Sequence, residues 1–292
     1  MDEPRATVRG TLSVIATPIG NLSDLSERAA TVLGSVTLLL CEDTRHTARL
    51  LQHLGVRPPC RALHAHNESE RIGDILARLA EGAHIGLVSD AGTPCLSDPG
   101  ARLVDAAQAA GHAVHTIPGP FAAAAGLAAS GLNPVPFAFW GFAPKASAAR
   151  KRWLELRLSL APGGGAMTHA IYVPGRDVAA MLGDVHAIAP GVRVVVAREL
   201  TKLHEGYLRG TPASVAEALR PEQAKGEAVL LVEVSAPIAG GAFDEIDVDG
   251  QIAIAQRDGA DRKPFLRDLA RRTGMSRRDL YRRWLDLAEE RR

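Results

Sequence analysis

Three stretches hold most of the side chains that could do chemistry. "CEDTRH" (41–46) brings Glu42, Asp43, Arg45 and His46 together, carboxylates and an imidazole for proton transfer beside a guanidinium for an anion. After an apolar run, "ARELTKLHEG" supplies Arg198, Glu199, Lys202 and Glu205, although alternating charges also suit the outside of a hairpin. "SDAGTPCLSDPG" (89–100) combines Gly92, Pro94, Pro99 and Gly100 with Asp90 and Asp98. Small residues let a ligand approach the backbone, and Asp90 could accept a hydrogen bond from an ammonium or a ribose hydroxyl. The same stretch also suits a plain turn in which Asp98 caps a helix starting near Gly100, just as Asp43 or Thr44 would suit a helix cap.

Other chemistries have less support. No strand is followed by G-x-G-x-x-G, the phosphate loop G-x-x-x-x-G-K-[ST] is missing, and "GGG" at 163–165 follows a helical pattern. "LHAHNE" places His64 and His66 on one side of an extended segment, but no carboxylate or cysteine stands at clear ligand spacing, so no metal is expected. Cys41, Cys60 and Cys95 are odd in number and form no C-x-x-C pair, which leaves them as small buried hydrophobes.

The elements that must position these groups follow from the apolar pattern. Through residue 117, "LSVIAT", a helix from Leu25, "VTLLL", a helix from His46, "HIGLV", a helix from Ala101 and "AVHTI" alternate. Such alternation predicts an α/β domain with a parallel sheet. Four strand ends then carry unusual residues and should converge at one rim: "TPIGN", "CEDTRH", "SDAGTP" and "IPGP". A second series, "PFAFWG", a basic helix over 148–160, "HAIYV", "VRVVVAREL", a helix near Ser214 and "AVLLVEV", predicts a mixed sheet with a hairpin. The expected divisions are an N-terminal domain over 11–118, a second over 119–238, a linker over 239–256 and a basic helix-turn-helix-like tail over 257–292.

The chain has 292 residues, 46% of them apolar and 23% charged, as in an ordinary globular protein. Its net charge is only +1, yet 257–292 carries twelve Lys or Arg against seven Asp or Glu, an asymmetry that hints at nucleic acid. Pro264, Gly274, Ser276 and Asp279 punctuate two helices there, with Phe265, Leu266, Leu269, Leu280, Trp284 and Leu287 facing inward. The start has no basic segment leading into an apolar one, and the longest charge-free run, 117–144, is broken by proline and glycine. A cytoplasmic protein that does not span a membrane is expected.

In this order, "TPIGNLSDLSERA", "CEDTRHTARLL", "LHAHNE", "SDAGTPCLSDPG", "IPGP", "ARELTK" and "GEAVLLVE" make the chain resemble the ribosomal RNA small subunit methyltransferase I family, of the tetrapyrrole-methylase-like (class III) methyltransferases. The resemblance runs from Leu12 to Glu233 and extends to the basic tail. It implies a two-domain fold with S-adenosylmethionine between the domains, a small C-terminal helical extension, a homodimer, and 2′-O-methylation of a cytidine in the decoding region of 16S rRNA on the small ribosomal subunit. The cofactor residues it implies are Pro18, Ile19 and Gly20, then Ser89, Asp90, Ala91, Gly92, Thr93 and Pro94, then Pro118, Phe121 and Ala122, with Tyr172 from the second domain. "EDTRH" and "HNE" would face the RNA.

Two departures stand out. In "IYVPGRD", Val173 and Gly175 replace the family's Glu and His, and Phe121 replaces a small polar residue after "PGP", which would narrow the cofactor site or move its wall. Candidates for the catalytic groups are Glu42, Asp43, Glu199 and Lys202, with Arg45 and His46 orienting phosphate or base. Lys145, Arg150, Lys151, Arg152 and the tail would neutralise RNA phosphates. Two alternatives are a tetrapyrrole or other small-molecule methylase of the same fold and a non-catalytic RNA-binding assembly protein.

Overall fold

Parallel pairing of neighbouring strands needs a crossover that carries the chain back to the starting edge, and a helix after each short apolar segment supplies it. In the computed structural model, which describes residues 10–160, 166–220, 225–235, 251–252, 255–256, 261–273 and 276–289, five strands obey this rule. They are β1 (Thr11–Ile15), β2 (Leu38–Cys41), β3 (Cys60–Ala62), β4 (His84–Leu87) and β5 (Ala113–Ile117), in the spatial order β3-β2-β4-β1-β5. Every pairing among them is parallel. The inner strand β2 is buried throughout, as expected where helices cover both faces of a sheet.

Helices α1 (Glu27–Ser35), α2 (Thr44–Leu54), α3 (Glu68–Ala80) and α4 (Ala101–Ala109) provide that cover. Leu12, Leu40, Ile75, Ile85 and Leu103 form the core on one side, and Ile15, Leu33, Leu39 and Leu51 on the other. β3 and α3 are absent from the alternation read in the sequence: β3 has only three residues and one is an arginine. "LHAHNE" is not extended. His64 begins a turn whose carbonyl accepts the Asn67 and Glu68 amides at 3.0 Å each, leading into α3.

The second sheet, in the order β6-β7-β10-β8-β9, comprises β6 (Phe137–Phe142), β7 (Met167–Pro174), β8 (Arg193–Arg198), β9 (Gly206–Gly210) and β10 (Glu227–Val234). β6 and β7 are parallel and the other pairs antiparallel, with β8 and β9 joined as a hairpin. α5 (Ala122–Ala128) follows the crossover from the first sheet, α6 (Ser147–Leu158) and α7 (Val178–Ile188) follow β6 and β7, and α8 (Pro212–Ala218) follows β9. α7 went unread because its sequence, "VAAMLGDVHAI", is apolar on nearly every side. Its one carboxylate, Asp184, is buried and takes Arg150 Nε of α6 at 2.6 Å. Arg150 is therefore spent inside the fold and is withdrawn from the phosphate-neutralising set; Lys151, 3.7 Å from the same carboxylate, stays half exposed.

At the carboxyl end, helices Arg262–Thr273 and Arg277–Glu289 pack through Leu266, Leu269 and Leu280, with Ile252 closing the cluster. Ser276 Oγ accepts the Asp279 amide at 3.1 Å and starts the second helix. Gln256 Nε2 donates to the Trp284 carbonyl at 2.7 Å, so this end of the expected linker rests on the tail. The rest of that linker, Gly274, and the side chains of Arg271 and Arg272 lie outside the described residues.

Candidate active site

The carboxyl ends of parallel strands share one rim, and here the loops leaving that rim are tied to one another. After β1, the Thr17 amide donates to the Gly92 carbonyl at 2.8 Å and the Gly92 amide donates back at 3.1 Å. Thr93 Oγ1 donates to the Pro120 carbonyl at 3.0 Å, and the Asp43 amide donates to Asp90 Oδ1 at 3.1 Å. "TPIGN", "CEDTRH", "SDAGTP" and "IPGP" thus meet in one place. Gly92 has φ +79°, and a Cβ there would stand 3.3 Å from Ile19 Cγ2. This is backbone that a side chain would strain.

Between this rim and the second sheet lies a cleft of about 760 Å³, large enough for a nucleoside-sized ligand. Pro18, Ile19, Gly20, Asp90, Ala91, Gly92, Thr93, Phe121, Ala122 and Tyr172 line it, as do Glu42, His46, Glu199 and Lys202. Five of the catalytic and cofactor candidates do not: Asp43, Arg45, Ser89, Pro94 and Pro118; nor do Arg198, Glu205, His64 and His66. Asp43 caps α2, accepting the Arg45 amide at 2.8 Å, and pairs with the outward-facing Arg45 guanidinium at 3.2 Å. That guanidinium holds the Asp43 carboxyl below its ordinary range. Ser89 is buried beneath the loop and its hydroxyl donates to the Ala91 carbonyl at 3.2 Å. It borders a side recess of about 270 Å³ together with Asp90 and His46.

On the second sheet an aromatic row forms the opposite wall. Phe121 meets Phe139 edge-on at 5.0 Å, Phe139 meets Tyr172 at 4.8 Å, and Tyr172 meets Phe142 at 5.3 Å. The unusual Phe121 is thus absorbed into a packed apolar surface while still lining the cleft. Val173, the other departure, is fully buried under the sheet. Burial pushes the Tyr172 phenol up to about 12. At the hairpin end Glu199 adopts φ +48° and takes Lys202 Nζ at 3.2 Å.

Two cleft carboxylates were not among the site candidates read from the sequence. Asp98, read there as the cap of the helix after Gly100, caps nothing: Glu68 Oε1 of α3 accepts the Gly100 amide at 3.2 Å and the Leu103 amide at 3.1 Å instead. Asp98 lines the cleft, and so does Glu227 at the start of β10. Burial, then the Glu42 carboxylate, pushes Asp98 up to about 6 against the opposing effect of the Ser89 hydroxyl. Glu42 is raised too, first by burial and then by Asp90. The loop holding Asp98 crosses to the second sheet at the β6 bulge, where Gly141 has φ +66° and a Cβ would stand 2.5 Å from Ser97 Oγ.

Among the described residues no group of three His, Cys, Asp or Glu is placed to hold a metal ion, and no helix is long and apolar enough to cross a membrane.

Residues 11–216 match the family of tetrapyrrole (corrin/porphyrin) methylases. The ribosomal RNA small subunit methyltransferase I of Xylella fastidiosa strain Temecula1 is 46% identical over 78% of this chain and 82% of its own. Its namesake from a Synechocystis species is 38% identical over 95% of this chain and 98% of its own. The crystal structure of the methyltransferase CobJ superposes with a TM-score of 0.55 at 22% identity, covering 76% of this chain and 93% of that one, a likeness of fold. With two sheets meeting at a cleft and sequence kinship along most of its length, the chain belongs to the tetrapyrrole (corrin/porphyrin) methylases, in their ribosomal RNA small subunit methyltransferase I branch.

Proposed function

We propose that this protein transfers a methyl group from S-adenosylmethionine to the 2′-hydroxyl of a cytidine in the decoding region of 16S rRNA, acting on the small ribosomal subunit, in the cytoplasm and as a homodimer. Residues 11–118 and 119–238 serve as its two domains. The observation that carries this reading is the cleft: four strand-end loops and an aromatic wall enclose a nucleoside-sized space in a chain 46% identical to a ribosomal RNA methyltransferase.

The residues present fit the cofactor. Carboxylates of Glu42, Asp90, Asp98 and Glu227 line the cleft and favour a ligand bearing sulfonium and ammonium charges. Phe121 and Tyr172 offer apolar surface, and the loops at Pro18–Gly20 and Asp90–Thr93 offer backbone groups for polar edges. When bound, S-adenosylmethionine supplies an electrophilic methyl carbon on sulfur.

What the chain supplies is position and a proton acceptor. The hydroxyl must be held behind the methyl carbon and in line with its bond to sulfur, so much of the rate comes from orientation. Of the pair read as orienting groups, Arg45 and His46, it is His46 that lies at the cleft, where it orients the base. Glu42, Glu199 and Lys202 are the sequence candidates for proton transfer that border the cleft; Asp43 and Arg45, committed to each other outside it, serve the RNA side or the fold. Lys145, Lys151, Arg152 and the tail arginines neutralise RNA phosphates.

Mass mapping of nucleotides after incubating 30S particles with the protein and S-adenosylmethionine tests this directly. One added methyl on a cytidine ribose in the decoding region is expected. Transfer to tetrapyrroles with none to 30S particles overturns it in favour of a small-molecule methylase, and calorimetry showing no S-adenosylmethionine binding favours an assembly protein.

A further inference from the structure

Among the six acidic groups at or beside the cleft, three are already engaged. Asp43 caps α2 and pairs with Arg45, Glu199 holds Lys202, and Asp90 accepts the Asp43 amide. Asp98 has no Lys or Arg ion-paired to it among the described residues, and it reaches the cleft from a loop fixed at both ends. On one side Glu68 holds the Gly100 and Leu103 amides, and on the other Ser97 lies against Gly141. Cys95 and Ser97 adopt φ +70° and +73° without being glycine, conformations that persist where the surroundings dictate them and that cluster at functional sites.

We propose that Asp98 is the catalytic base that removes the proton from the ribose 2′-hydroxyl, an inference that rests on the ribose-methylation reading above. The groups facing Asp98 come from every side: Glu42 from the end of β2, Ser89 and Asp90 from the end of β4, Glu227 from β10, Tyr172 from β7 and Cys95 from its own loop. Three of these are carboxylates whose repulsion is relieved by one proton on Asp98, so a proton released in the cleft is best received there. Its carboxyl, held near 6, is ionised at neutral pH yet basic enough to share a proton in the transition state. Asp98 takes the proton as the ribose oxygen forms its bond to the methyl carbon; the carbon–sulfur bonding pair stays on sulfur, which becomes a neutral thioether. The proton then leaves Asp98 for solvent.

Methyl transfer to 30S particles is measured for wild type, Asp98→Asn and Asp98→Glu across pH 5 to 9, with S-adenosylmethionine affinity by calorimetry. For Asp98→Asn, kcat falls about 100-fold or more, cofactor affinity stays within about threefold, and the acid limb of the pH profile near 6 disappears. Asp98→Glu, which keeps a carboxyl, recovers at least about tenfold over Asp98→Asn. An Asp98→Asn enzyme within about threefold of wild type, or one that retains the acid limb, overturns the proposal. Independently of turnover, the carboxyl ¹³C resonance of Asp98, assigned through its own backbone connectivities in the cofactor-free wild-type protein, should titrate near 6; titration at an ordinary aspartate pH overturns the proposal even if the variant fails to fold. A wild-type protein that transfers nothing to 30S particles overturns the parent reading, a separable result because it precedes any substitution.

Discussion

The cleft and the carboxyl-terminal helices handle charge in opposite ways. In the cleft, carboxylates from the rim of the parallel sheet (Glu42, Asp90, Asp98) meet others from the second sheet (Glu199, Glu227), and partial burial leaves Glu42 and Asp98 reluctant to ionise. In the tail, Arg277, Arg278 and Arg282 stand in solvent around a small apolar core, and Arg262 lies 4.8 Å over the Tyr281 ring. Phosphates are attracted to the second region and repelled by the first. An RNA chain held by the tail can therefore present a ribose and base to the cleft while its backbone stays outside. Cofactor binding and RNA binding should respond to separate sets of substitutions.

The largest effect should come from Gly92→Val. A β-branched residue at φ +79° against Ile19 distorts the loop that ties β1 and β4 together, and a strain of about 3 kcal/mol corresponds to about 100-fold. Calorimetry should show S-adenosylmethionine affinity lowered by about that factor with RNA affinity unchanged; a parallel loss of both would break the comparison. Next, Glu68→Ala leaves the Gly100 and Leu103 amides without their buried acceptor, a cost of about 2 kcal/mol. Thermal unfolding of the two-sheet body should shift down by several degrees while RNA affinity is retained.

Deleting 257–292 should weaken RNA binding at least about tenfold at 0.15 M salt and flatten the dependence of log K on log salt, because fewer counterions are released. Cofactor affinity should stay within about twofold, and equal RNA affinity without the tail would remove its role. The smallest effect concerns stability. Asp98 is raised in the folded state from 3.8 to about 6, so its contribution is intact below pH 4 and is lost as pH rises through 6. Asp98→Asn should therefore unfold a few degrees above wild type at pH 8 and level with it at pH 4; a variant less stable than wild type at pH 8 would show that the charge is compensated.

Both sheets, apart from the three-residue strand β3, were legible because their strands are apolar runs set off by turn and helix signals. The rim was legible because "TPIGN", "SDAGTP" and "IPGP" carry residues that a plain connection does not need. At the site, what escaped was non-local. Asp98 has the local spacing of a helix cap, and nothing near it in sequence says that Glu68, in another helix, has taken that duty. Arg150 reads as one surface cation of a basic helix until Asp184, 34 residues on, is found beside it. Glu227 opens a long apolar strand, and nothing in that run places it at the cleft. In each case a partner from a different element decides the role, and local pattern carries no trace of that partner.

Gly141 sets a mechanical limit. With a hydrogen where other residues carry a methyl, it lets Ser97 approach to a separation that a Cβ would reduce to 2.5 Å. A side chain at this one position would therefore act as a wedge, pushing the loop of Asp98 off the second sheet and widening the cleft.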